Sequence, residues 1–139
     1  MDDQVNKSLR DILDSISHIE LFCSTRPKKF EAFCEDICFR SAVQWEIAII
    51  GEAMNRILKL CPKISITSAR RIVNTRNYLI HGYDSLRDDL IWAIVINHIP
   101  LLKRKFSSFS ASHQSHLKTN PSGGDLILCL AVKSLFLHI

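Results

Sequence analysis

The chain has 139 residues, enough for one domain with its own core and too few for two full-sized ones. Apolar residues make up 47% of it and only 4 Gly and 4 Pro interrupt it, a scarcity that argues against a loop-rich β protein. Eighteen Lys and Arg against 14 Asp and Glu leave a formal charge of +4, which suits a polyanionic partner without localising a basic patch.

The N-terminus, Met1-Asp2-Asp3-Gln4, is acidic and polar, unlike the basic start and apolar stretch of a signal peptide. No run reaches the roughly 18 apolar residues of a membrane span, so a cytoplasmic protein with no membrane partner is expected. From about Asp3 to Phe22, Val5, Leu9, Ile12, Ile16 and Ile19 recur at steps of four and three, and Leu13 widens the stripe. This spacing predicts a one-faced amphipathic helix, with Lys7, Arg10, Asp14 and Ser17 on its solvated side. Ser24-Thr25-Arg26-Pro27 ends it, because proline lacks an amide donor and restricts its predecessor.

A second, longer helix is predicted from about Lys29 to Leu60. Cys38, Ala42, Trp45, Ile49, Ala53 and Ile57 form one apolar stripe, and Val43, Ile47, Ile50, Met54 and Leu58 form another beside it. A helix apolar over so much of its girth is covered on more than one side, by the bundle or by another subunit. Gly51 weakens it by about 1 kcal/mol relative to alanine, a cost that a close helix approach would offset.

Cys61-Pro62 breaks the run. Thr67 or Ser68 can cap a third helix running through Arg70, Arg71, Ile72 and Arg76 towards Ile80, with Gly82 as its stop. Ser85, with Asp88 three residues on, reads as the capping box of a fourth helix carrying Leu90, Ile91, Trp92, Ile94, Val95 and Leu101. Pro100 is placed to kink it. Four helices with short connections predict an all-α, antiparallel four-helix bundle over residues 1–105. Residues 106–139 differ: a Ser-rich linker with His113 and His116, then a short apolar segment from Leu126 to Ile139. The five cysteines, Cys23, Cys34, Cys38, Cys61 and Cys129, show no second close pair or histidine cluster. They read as buried small hydrophobes in a reducing compartment, with no metal site.

The chemistry-bearing stretch is Arg76-Asn77-Tyr78-Leu79-Ile80-His81-Gly82-Tyr83. On an ideal helix Arg76 and His81 sit about 140° apart, so they share a cleft only where the helix is ending. Asn77 and His81 are one turn apart on one face. Arginine offers a planar fork of donors that matches phosphate oxygens, and histidine can carry a proton near neutrality. RNA supplies its own nucleophile, the 2′-hydroxyl, so one proton carrier and one charge stabiliser suffice without a metal or other cofactor. Set against this, His81 can simply favour a helix C-terminus, and Tyr78 and Tyr83 can be half-buried packing residues.

The Arg, four residues, His, one residue, Tyr pattern of Arg76, His81 and Tyr83 resembles the motif of the HepT-like ribonuclease toxins of the HEPN superfamily. Ile49-Ile50-Gly51-Glu52-Ala53, Ile91-Trp92 and Pro100-Leu101-Leu102 look like the same branch, and the likeness covers roughly residues 3 to 105. The resemblance implies an all-α HEPN-like bundle that forms a homodimer, with motifs lining a cleft between subunits. It implies a metal-independent endoribonuclease, the toxin of a type VII toxin–antitoxin pair, acting on single-stranded or unstructured RNA. Arg76 would then stabilise the scissile phosphate, His81 would assist proton transfer, and Asn77 would orient His81 or bind phosphate. Asp36 and Glu52 match acidic positions near the family's cleft. Tyr83 matches the tyrosine to which an MntA-like minimal nucleotidyltransferase antitoxin transfers AMP, using ATP and Mg²⁺ that are the partner's cofactors. The alternative is a non-catalytic helical module that binds such a nucleotidyltransferase, nucleic acid or nucleotide. The ending after about Lys105 departs from the family's compact one.

Overall fold

The Val5, Leu9, Ile12, Ile16 and Ile19 stripe is the inner face of a helix, α1, spanning Asp2–Ser24, and all five side chains are buried. Leu13 is half-buried beside them, and Lys7, Arg10, Asp14 and Ser17 face water. Two serines join the inner face: Ser8 and Ser15 are buried, and the Ser8 hydroxyl donates back to the Gln4 carbonyl at 2.8 Å. At the C-terminal end, Ser24 Oγ donates to the Leu21 carbonyl at 2.7 Å and Arg26 to the Phe22 carbonyl at 3.4 Å. These bonds satisfy acceptors that a helix end leaves without amide partners.

The computed structural model describes residues 2–62, 70, 72–77, 87–104 and 106–107. Among the described residues every regular element is helical. The long helix expected from Lys29 to Leu60 is two helices, α2 (Phe30–Glu35) and α3 (Ile37–Leu60). Asp36 separates them with extended backbone angles, φ −91° and ψ 95°, and its carboxylate accepts the Phe39 amide at 2.9 Å. An aspartate offers the backbone this alternative to a continuing helix. Arg26 fixes it there, its Nε donating to Asp36 Oδ2 at 2.8 Å.

Helix α3 is the central element. Its buried face carries Phe39, Val43, Ile47, Ile50, Ala53, Met54 and Ile57, and α1 packs along it. Asp11 pairs with Arg56 at 3.2 Å and His18 with Glu46 at 3.0 Å, so the partner number falls as the α1 number rises: the two run antiparallel. The stripe of Cys38, Ala42, Trp45, Ile49, Ala53 and Ile57 is covered only in part. Trp45 is 69% exposed and Cys38 is exposed, because no described element lies over that flank. The cysteines therefore do not behave alike: Cys23 and Cys34 are half-buried, Cys61 is buried, and Cys129 lies outside the described residues.

Residues 72–77 are helical, and Ile72 is buried against the core. Thr67, Ser68, Ile80 and Gly82, the expected limits of that helix, lie outside the described residues. Helix α4 spans Asp88–Ala93, and Arg87, not Ser85, stands at its N-cap. Asp88 therefore opens the first turn instead of closing a capping box, and Asp89 in that turn is held by Arg87 at 2.6 Å. A π-helical turn, Ile94–His98, follows directly, in which the Ile99 amide donates to the Ile94 carbonyl. Pro100 supplies the reason: it has no amide to return to the preceding turn, and its ring crowds that turn's carbonyl. The kink expected at Pro100 is thus a widened turn just ahead of it. Helix continues beyond, and Ile99, Leu102 and Phe106 close the core with Ile91, Ile94 and Val95. Phe33, Phe39 and Trp92 form an aromatic cluster, with Phe33 5.2 Å from Phe39 and 5.1 Å from Trp92 between ring centres. The result is an all-α bundle, as the spacing predicts. The core reaches Phe106, one residue past the expected boundary, and 108–139 lie outside the described residues.

Candidate active site

The helical turn 72–77 carries its own alignment. Ile72 is buried, and Arg76, one turn later, falls on the same side and meets α3. The meeting point is Gly51. A Cβ built there would overlap the Arg76 Cβ and stand 3.0 Å from the Arg76 Cγ and 3.1 Å from the Ile72 carbonyl oxygen. The glycine that weakens α3 as a helix is therefore what lets a second backbone come this close.

The guanidinium at the end of that stem has two neighbours. Arg76 Nη2 lies 2.6 Å from Glu52 Oε2, close as an ion pair though not aligned as a hydrogen bond. Arg76 Nη1 donates to Asn77 Oδ1 at 2.8 Å. The Arg76 side chain is 24% exposed and that of Glu52 42%, so the pair sits at the rim of the seam, not within the core. Arg76 Nε is buried and has no hydrogen-bond partner among the described residues. A guanidinium carries five N–H donors in a fixed plane, so these two contacts leave others for an anion arriving from solvent.

Three of the residues singled out by sequence thus come together: Arg76, Asn77 and Glu52. Asp36 does not join them. It caps the start of α3, and 16 residues separate it from Glu52 along that helix, about 24 Å at 1.5 Å per residue. The Arg26 guanidinium first, then the Phe39 amide, hold its carboxyl below the usual carboxylate range. Asp36 also lines a shallow open groove with Arg26, Ile37 and Cys38, and Arg76 has no part in it. His81 and Tyr83 lie outside the described residues. No group of three potential ligands able to hold a metal ion occurs among the described residues.

Sequence reasoning passed over one polar pair. Glu46 is 8% exposed, on the inner face of α3, and its Oε1 contacts His18 Nδ1 at 3.0 Å while Oε2 is buried with no hydrogen-bond partner. The signal was a glutamate in register with Val43, Ile47 and Ile50. It ties α1 to α3 and stands apart from Arg76 in the chain's described contacts.

The model of the family described as "Ribonuclease HepT-like" matches residues 12–109, which takes in the second half of α1, α2, α3, Arg76 and α4. The chain belongs to this family. A "Probable ribonuclease HepT" of Thermococcus cleftensis is 37% identical to this HepT-like chain over 102 residues, covering 70% of it and 88% of the relative. A provisionally named RNase of Methanocaldococcus jannaschii is 31% identical over 100 residues, covering 69% of this chain and 78% of the relative. A second one from the same organism is 31% identical over 102 residues, with 73% and 92% covered. No solved structure gives a significant match. The family and these relatives bear ribonuclease names, and in this chain an arginine fork stands at a surface seam. No described helix is long and apolar enough to cross a membrane.

Proposed function

We propose that this HepT-like chain is a metal-independent endoribonuclease, the toxin of a type VII toxin–antitoxin pair, with Arg76 and His81 as its catalytic residues. The observation that carries the reading is the Arg76 guanidinium, gathered with Glu52 and Asn77 at the rim of the α3 seam in a member of a ribonuclease family. In the proposed reaction, a base takes the proton of the RNA 2′-hydroxyl as its oxygen attacks the adjacent phosphorus. The bond to the 5′-oxygen breaks, that oxygen takes a proton, and the products are a 2′,3′-cyclic phosphate and a 5′-hydroxyl. Arg76 stabilises charge on the non-bridging oxygens and His81 serves proton transfer. Asn77 and Glu52 hold the arginine and Asn77 orients the imidazole or binds phosphate.

Two copies form the working unit, their motifs facing a common cleft, and the exposed Ile37 and Trp45 flank of α3 is apolar surface available for association. An MntA-like minimal nucleotidyltransferase, using ATP and Mg²⁺, silences the enzyme by transferring AMP to the Tyr83 hydroxyl with release of pyrophosphate. The added bulk and negative charge would oppose RNA at the cleft.

Labelled unstructured RNA incubated with the protein in EDTA tests the chemistry. Products ending in a 2′,3′-cyclic phosphate are expected, and they should vanish with His81→Ala while helicity stays unchanged. RNA retained but uncut would favour the non-catalytic binding module instead. With the partner and ATP·Mg²⁺, intact mass should rise by one or more AMP units; a gain that survives Tyr83→Phe removes that residue from the account.

A further inference from the structure

Glycine inside a long helix is a poor helix former, so its place in α3 needs a packing reason. Nearest to where a Gly51 Cβ would stand, among the described residues, is the stem of Arg76. Added bulk there would meet Arg76 Cβ, Arg76 Cγ at 3.0 Å and the Ile72 carbonyl at 3.1 Å. The Cβ and the carbonyl are fixed to the 72–77 backbone, so neither can swing aside as the tip of a flexible side chain would. The next residue of α3, Glu52, takes the far end of the same arginine, 2.6 Å from Nη2. Two successive residues thus set where the arginine starts and where it ends. Between them Nε is buried without a hydrogen-bond partner among the described residues, as a stem pressed against a helix surface leaves it.

We infer that Gly51 is a positioning residue for Arg76, an inference that rests on the ribonuclease reading above. It touches no substrate. By lacking a Cβ it seats the arginine stem on α3, and so fixes how far the guanidinium reaches towards a phosphodiester. A displacement of about 1 Å at a catalytic group can cost about 10²-fold in rate, and a methyl at this contact forces a shift of that order.

The test is a cycle on the full chain: wild type, Gly51→Ala, Arg76→Gly and the double variant, cleaving a labelled single-stranded oligoribonucleotide. Gly51→Ala should stay helical and lose about 10²-fold in kcat with KM little changed. In the Arg76→Gly background, which has no Cβ for the new methyl to meet, the same substitution should cost nothing further. Wild-type kcat in Gly51→Ala, or an undiminished loss in the Arg76→Gly background, overturns the assignment. Should Gly51→Ala fail to fold, Gly51→Ala/Arg76→Gly removes the offending Cβ; recovered folding supports the seat and continued failure overturns it. A wild type that cuts no RNA sinks the ribonuclease reading alone. The seat is then decided by nuclear Overhauser contacts from Gly51 Hα to Arg76 Hβ and Hγ in the wild type, whose presence supports it and whose absence overturns it.

Discussion

At the scale of single residues, the chain shows one cation used for structure and another left partly available. Arg26 is spent on Asp36 and stacks over the Phe39 ring, 5.0 Å from its centre, so it fastens the α2–α3 junction. Arg76 has one carboxylate, one amide oxygen and a solvent-facing side. Replacing Glu52 with Gln should lower RNA cleavage about tenfold by loosening the guanidinium, whereas Arg76→Lys should lose about 10²-fold, because a point charge does not reproduce a planar fork. Single-turnover rates check both, and an unchanged rate for Glu52→Gln would show that the ion pair is idle. Asp36 gives a pH prediction. Its folded carboxyl is held below the ordinary carboxylate range, so its stabilising contribution is fully present above that range and is lost as pH falls through the folded value. Asp36→Asn keeps a capping oxygen but should flatten the acid limb of a stability-against-pH curve; an unaltered limb would count against the Arg26 pairing. Arg76 and Asn77 were legible because arginine and amide mark themselves in a sequence, and Glu52 was named only through the family resemblance. Which carboxylate reaches Arg76 was not legible: Asp36 and Glu52 look equivalent until the turn 72–77 is laid on Gly51.

At the scale of elements, stability concentrates along the α1–α3 seam. Ile12 and Ile47 are both 0% exposed, and truncating either to Ala should cost about 2–5 kcal/mol in urea denaturation. The ion pairs at the edges of that seam, Lys7 and Arg56 with Asp11, should contribute less than about 1 kcal/mol each, since their side chains remain partly solvated. Helix α1 was legible in full, its limits within two residues of those expected, because a strict single stripe has one solution. The split between α2 and α3 was hidden for a physical reason. Apolar periodicity runs on through Phe33, Phe39 and Val43, and the break depends on Arg26, ten residues away, holding Asp36 out of the helix. Likewise Trp45 fits the stripe by spacing but faces water, since spacing tells which residues share a face and not whether anything covers it.

At the scale of the whole molecule, the two tryptophans report different things. Trp92 is packed in the aromatic cluster with Phe33 and Phe39, and Trp45 is largely bare. Acrylamide should quench one of two emitting populations, and Trp45→Phe should remove that population with little change in Tm. On the dimeric reading, quenching should weaken as protein concentration rises through the association range; constant quenching would place the interface elsewhere. A last consequence follows from the π-helical turn at Ile94–His98. A turn of that width holds a residue in surplus, so the chain can be shortened by one there and close to an ordinary α turn. Ile91 on one side and Phe106 on the other would keep facing inward. The same loss within α1 would swing every later side chain by about 100°. Deleting the exposed Asn97 should therefore leave a cooperative melt, and deleting the equally exposed Asp14 should not.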